Sequence, residues 1–301
     1  AGGREGSKDA QGDRRPCRFR PERILFKRRV LQVAAGDDFT IVITTKGELW
    51  SWGRGDFGEL GSGMRVQRDP GPCECTERFA QVSAGPRHVL ASTNNGRLYA
   101  WGYGEDGATG LDETAWRPRR VELVQGVVSD LSAGGAHSLL LVRGAVHSMG
   151  TTLNGRAGVP CGNPPVERAV FDCVRGLPND IIRVAAGGEH SLCLTASGEV
   201  YAWGRGGRAG QRSPRDVSPC VEIWRLVGSS RRPPRHRRDA CSTTHWLIST
   251  QVWAPTLVQL DQKAVAVAAH AAHSVIAMED GTFRTFGNGD HGRLGCLDRF
   301  K

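Results

Sequence analysis

Residues 53–58 read Gly-Arg-Gly-Asp-Phe-Gly, the spacing G-x-G-x-x-G that can cradle a dinucleotide pyrophosphate. That chemistry needs a strand before the glycines, a helix after them and an acidic residue about 20 positions on. Glu48 to Trp52 suit the strand, but Gly61, Ser62, Gly63 and then Asp69-Pro-Gly-Pro72 are turn formers and oppose the helix. Four histidines, His88, His137, His190 and His273, raise metal binding or proton transfer, and Cys73-Glu-Cys75 raises a thiolate site. No second cysteine pair stands at zinc-ligand spacing, and the nine cysteines fall irregularly, the pattern of free thiols in a reducing compartment. The carboxylates Asp37, Asp38, Glu105, Asp106 and Glu189 fall in expected loops, where no acid–base pair can be picked out. Arg54-Gly-Asp56 resembles an adhesion tripeptide. No nucleophile elbow, P-loop or kinase signature is present, and no metal or cofactor is expected.

The elements that would position these residues repeat along the chain. WGRGDFGELG (52–61), WGYGEDGATG (101–110) and FGNGDHGRLG (286–295) match closely, and MGTTLNGRAG (149–158) and WGRGGRAG (203–210) are degenerate copies. Upstream of each lies a second block of the kind V-x-A-G-x-x-H-S. Its glycines, Gly36, Gly85, Gly134 and Gly187, are 49, 49 and 53 residues apart, and His270 takes the fifth place 83 residues later. A phosphate loop is not normally repeated five times; a structural turn is. Each unit reads as a strand, a two-residue turn (Lys46-Gly47, Asn95-Gly96, Ser197-Gly198, Asp280-Gly281), a second strand ending in an aromatic-Gly pair, and a Gly-rich bend. A short apolar stretch such as Ala80–Val82 or Val121–Leu123 completes it. A period of about 50 residues with several strands per unit means a β-propeller or similar array. Trp52, Trp101, Trp203 and Phe286 would fill equivalent places in it. So would Gly53, Gly102, Gly150, Gly204 and Gly287 after them, and Gly58, Gly107 and Gly292 in the bends. The block histidines would then be spread around a ring, each making a structural hydrogen bond.

Length and charge bound the rest. The 301 residues carry 40 glycines and a formal charge of +9. Residues 1–29 hold ten Lys/Arg against four Asp/Glu, residues 205–250 ten against three, and the remainder 20 against 24. The basicity thus sits in two irregular segments able to attract nucleic acid. The first reads as a disordered tail; the second lies in a basic insertion within 205–255, either a disordered loop or an artefact of gene prediction. No apolar run is long enough to span a membrane, and the polar N-terminus lacks a signal peptide's apolar stretch. A cytoplasmic or nuclear location is expected.

The paired motifs, V-x-A-G-x-x-H-S followed by G-x-x-Y-x-W-G-x-G-x-x-G-x-L-G, resemble the regulator of chromosome condensation (RCC) repeat over residues 30–297. The resemblance implies an all-β propeller, most often seven-bladed, occupying 30–301. Members include an exchange factor for the small GTPase Ran, a plant UV-B photoreceptor, and interaction domains of ubiquitin ligases and ciliary proteins. Four departures matter. Five repeats are recognisable, so the chain is either a shorter ring or part of a longer one. The fourth-to-fifth spacing is long. The photoreceptor's tryptophan positions hold Asp37, Pro86, Gly135, Gly188 and Ala271, which opposes UV sensing. The repeat signature itself does not carry exchange activity. The expected function is a non-enzymatic protein-interaction module binding through loops that include Asp37, Asp38, Arg87 and Glu189. The alternative is an exchange factor for a Ran-like GTPase, held on chromatin through the basic segments.

Overall fold

The computed structural model describes residues 23–159, 168–205, 251–288 and Leu294. The expectations that concern residues 1–22, 206–250 and Gly292 lie outside them. Among the described residues are five antiparallel sheets with no α-helix, the blades of a β-propeller. Blade 1 contains β1 (Val30–Ala35), β2 (Phe39–Thr44), β3 (Leu49–Arg54) and β4 (Val66–Pro72). Blade 2 contains β5 (Phe79–Ala84), β6 (His88–Thr93), β7 (Leu98–Gly102) and β8 (Ala115–Arg120). Blade 3 is β9 (Val128–Ala133), β10 (His137–Val142), β11 (Ala145–Thr151) and β12 (Arg168–Cys173). Blade 4 is β13 (Ile181–Ala186), β14 (His190–Thr195), β15 (Val200–Arg205) and β16 (Gln251–Val258). Blade 5 has β17 (Ala264–His270), β18 (His273–Met278) and β19 (Phe283–Gly287). Within every blade the strands lie side by side in chain order.

Each blade is a two-faced sheet, so its central strands are buried on both sides and lose the polar alternation of a half-exposed strand. The runs Ile41-Val-Ile43, Val89-Leu-Ala91 and Leu139-Leu-Leu141 are all buried. Their alternate residues feed different inter-blade cores. Leu140 and Val142 meet Leu90, Leu98 and Ala100 on one side of blade 3; Leu139 and Leu141 meet Val184, Cys193 and Trp203 on the other.

The inner strands β1, β5, β9, β13 and β17 pack in succession, each on the next. Polar side chains stitch them. The Gln32 carboxamide pairs with both backbone groups of Val82, donating to its carbonyl (2.9 Å) and accepting from its N–H (3.0 Å). Ser83 Oγ accepts from Ala133 N–H, Asp130 from Val184 N–H and Ser132 Oγ from Ala186 N–H. At the hairpin side, the carbonyls of Gly47, Gly96 and Gly198 accept from Phe79, Val128 and Ala264 N–H of the following blade.

The structure corrects three sequence expectations. The four Gly-containing hairpins close with three-residue loops, not two: Gly47, Gly96, Gly198 and Gly281 N–H bond the carbonyl three residues back, and each glycine has positive φ. This is a type I turn followed by a left-handed residue. The two-residue turn occurs instead at Arg143-Gly144, with φ of 52° and 78°. Each of blades 1–4 also has a fourth strand that apolar periodicity does not reveal. β4 contains Asp69-Pro-Gly-Pro72, which an outermost strand tolerates because its outer N–H groups need no ladder partner. Finally, residues 251–255, the end of the range within which the irregular insertion was placed, belong to β16.

Candidate protein-binding face

The glycine pattern that resembled a phosphate loop is a blade corner. Gly53, Gly102, Gly150, Gly204 and Gly287 all adopt positive φ, between 96° and 111°. A Cβ on Gly102 would lie 2.5 Å from the Arg87 carbonyl oxygen. The residue after each glycine, Arg54, Tyr103, Thr151, Arg205 or Asn288, donates its N–H to the residue before the block His or Phe, respectively Asp38, Arg87, Ala136, Glu189 or Ala272. These bonds bring the block loops and the bends together on one face, with the hairpin turns on the opposite one. The 3-10 turn Leu153–Gly155 is the third blade's bend. Gly58 and Gly107 also have positive φ within their bends.

Beneath this face runs a relay of imidazoles and hydroxyls. His88 Nε2 lies 2.9 Å from Ser138 Oγ, His137 Nε2 lies 2.9 Å from Ser191 Oγ, and His190 Nε2 lies 2.7 Å from Ser274 Oγ. Every bond crosses from one blade to the next. Ser138 donates its own hydroxyl to the Ala108 carbonyl (2.6 Å) and Ser191 to that of Arg156 (2.8 Å), so each must accept from the imidazole. His88 and His137 are therefore Nε2–H tautomers. Burial pushes His88 and His190 down to about 4 and His137 well below its ordinary value, where the nearby charge of Arg156 adds to the effect. The rings are neutral and arranged in series, not around one point. Among the described residues no group of three or more His, Cys, Asp or Glu is placed to hold a metal. Cys73 donates to the Leu60 carbonyl, and burial pushes its thiol up to about 12, which removes thiolate chemistry at neutral pH.

The block glycines follow from these rings. A Cβ on Gly85 would be 2.7 Å from the His88 ring, one on Gly134 2.6 Å from His137, and one on Gly187 2.2 Å from His190. In blade 1, Phe39 stands in the His position and crowds Gly36 in the same way. The residue it faces across the joint is also changed: blade 2 has Val89 where blades 3–5 have serine, and both lie in one buried cluster. An apolar pair has replaced a polar one. The bend carbonyls are served in step. Trp101 Nε1 donates to Glu59 O (2.8 Å), Ser138 to Ala108 O where Met149 has replaced the tryptophan, and Trp203 Nε1 joins Ser191 on Arg156 O (3.0 Å). His273 sits partly buried at the start of β18; Trp52 and Phe286 are partly buried.

Of the loop residues expected to meet a partner, Asp37, Asp38 and Arg87 are exposed. Glu189 is held differently. Its carboxylate lies between the Arg156 and Arg205 guanidiniums at 3.3 and 3.0 Å, and the arginine side chains are 8% and 6% exposed against 41% for Glu189. Sequence reasoning missed Arg156, because its bend is a degenerate copy. It also missed an aromatic contact between blades 1 and 2: the Phe57 and Tyr103 rings meet edge to face with centroids 5.3 Å apart, and the Arg87 guanidinium lies 5.1 Å from the Phe57 centroid.

Comparison with known proteins gives the same architecture. The chain is 36% identical to human E3 ubiquitin-protein ligase HERC2 over 196 residues, which is 60% of this chain and 4% of that protein. It is 29% identical over 272 residues to the mouse secretion-regulating guanine nucleotide exchange factor, covering 88% of this chain and 42% of the relative. It thus spans less than half of either relative. The crystal structure of Prp20p from Saccharomyces cerevisiae, described with its binding properties to Gsp1p and histones, superposes with a TM-score of 0.66 at 23% identity. That match covers 88% of this chain and 60% of Prp20p. The family model described as RCC1-like domain matches residues 1–300. With its repeated block, bend and blade, the chain belongs to the RCC1-like domain family.

Proposed function

We propose that this chain is a non-enzymatic protein-interaction module that binds partners through the face carrying its block loops and bends. The observation that supports this reading is the contrast across that face: varied, exposed side chains lie in block loops whose next residues are buried, Asp37 and Asp38 before the apolar Phe39 and Arg87 before His88 of the His–Ser relay. A rigid scaffold presenting variable loops is how such folds separate stability from recognition. A second reading, guanine-nucleotide exchange on a small GTPase with chromatin attachment, is favoured by the similarity to the mouse exchange factor across 88% of the chain. Under it, residues 1–29 and 205–250 would contact nucleic acid or histones.

The deciding experiment is release of fluorescent GDP from Ran-like and Rab-like GTPases, with and without the folded chain. The interaction module leaves release unchanged. Acceleration at catalytic concentration would overturn it in favour of exchange. Deletion of 205–250 then tests the basic segment, which predicts a sharp loss of salt-sensitive DNA binding.

A further inference from the structure

The repeats provide an internal control for what the blade corner requires. Position three of the bend is Arg54, Thr151, Arg205 and Asn288 in four blades, but Tyr103 in blade 2. Among the described bends, position six is Asp106 and Asn154 in two blades, but Phe57 in blade 1. The corner therefore forms without an aromatic side chain at either place. Yet these two departures meet each other across the joint between blades 1 and 2, with Arg87 over the Phe57 ring. Both rings remain partly exposed, and Arg87 is exposed. Aromatic residues and arginine are the types enriched where partner proteins gain most of their binding energy.

The surroundings are acidic. Asp37 and Asp38 project from the first block loop, Asp56 and Glu105 from the bends, with Asp106 beside them. Glu105 accepts the Tyr103 hydroxyl at 3.0 Å, and Asp106 accepts Ala108 N–H. Of the guanidiniums near these carboxylates, Arg54 is paired with Asp56, Arg87 rests on Phe57, Arg65 rests on Trp116, and Arg156 interacts with the charge of Asp106 from within its pair with Glu189. An aromatic ring rimmed by carboxylates attracts a cation through its quadrupole and by direct charge.

We propose that Phe57, Tyr103 and Arg87 are the centre of the partner-binding face, and that they receive a cationic segment of a protein partner, its Arg or Lys side chain lying against Tyr103 and reaching Asp37 and Asp38. This rests on the interaction-module reading and names the chemistry of its partner. The test is fluorescence anisotropy on the full chain at low ionic strength, with a fluorescein-labelled octapeptide of alternating Arg and Gly as the probe. A Glu-Gly octapeptide serves as its counterpart. The Arg peptide should bind, and the Phe57→Ala/Tyr103→Ala double variant should bind it at least about tenfold more weakly. Asp37→Asn/Asp38→Asn should weaken it several-fold, and Asp180→Asn, on the hairpin side, should not. Thermal unfolding confirms that each variant is folded. No binding of the Arg peptide, or equal binding to wild type and both loop variants, would overturn the proposal. A Glu peptide held through Phe57 and Tyr103 would overturn the cationic assignment while leaving the loop face standing. Accelerated GDP release would separately remove the module reading.

Discussion

At the scale of single residues, the relay makes stability depend on imidazoles staying neutral. His88 and His190 are depressed to about 4 from 6.5 by burial, so between those values the unfolded chain binds protons that the folded chain does not. Stability should be complete above pH 6.5, fall as pH drops towards 4, and level off below that. The loss from each histidine is on the order of 3 kcal/mol. Urea midpoints at pH 7.5, 5.5 and 4.5 would show it; midpoints independent of pH across this window would contradict the neutral relay. The hydroxyls divide more finely. Ser138→Ala takes away the donor that serves Ala108 O, whereas Ser191→Ala leaves Arg156 O with the Trp203 indole. Removing the first should cost about 1–3 kcal/mol and the second measurably less. Equal losses in denaturant titrations would show that the bend carbonyls do not govern the cost.

At the scale of elements, the turns and corners set where the functional loops emerge. Gly102→Ala places a methyl 2.5 Å from the Arg87 carbonyl at a φ of +96°. It should destabilise blade 2 by about 1–3 kcal/mol and weaken partner binding, because the same corner aims Arg87 and Tyr103. Loss of peptide binding without loss of stability would separate the two effects and refute that coupling. The Arg143-Gly144 turn gives the opposite case. Arg143 holds φ +52°, a conformation that asparagine adopts more readily. Arg143→Asn should therefore raise stability, by up to about 1 kcal/mol. A lowered urea midpoint would show that the arginine side chain contributes more than its backbone costs.

At the scale of the whole molecule, the blades are not tied equally. Asp130 and Ser132 in β9 each accept a backbone N–H from β13. Their equivalents in β13, Arg183 and Ala185, have no acceptor to offer β17. Blade 5 keeps the apolar contacts of Leu192, Ile276 and Met278, the His190–Ser274 bond and the Gly188–Ala271 backbone bond, but lacks that inner stitching. Amide hydrogen exchange should therefore be faster in β17–β19 than in β9–β11. Uniform protection across the five blades would show that the inner-strand hydrogen bonds contribute little. At the other end, Val33 of β1 is 61% exposed while its equivalents Val82, Leu131 and Val184 are 2%, 7% and 7% exposed. Those three are covered by a preceding blade, and β1 has none before it among the described residues.

The repeat period and the Gly-rich corners were legible in the amino-acid order because they are local. A left-handed glycine or a ring stacked on the glycine three residues earlier needs only neighbours in the chain. Local pattern was enough to turn a G-x-G-x-x-G match into a corner and to place Asp37, Asp38, Arg87 and Glu189 in loops. It could not reveal the outer strands β4 and β8, whose Pro and Arg content suits an edge and not a core. Nor could it show that His88 bonds Ser138, fifty residues on, or that Phe39 and Val89 replace such a pair together. The same holds for the candidate site. Phe57 and Tyr103 lie in separate repeats at different positions of the bend, so no single motif joins them. Only the stacking of blade on blade, where one sheet's corner overhangs the next, brings the two rings to 5.3 Å and sets Arg87 over Phe57.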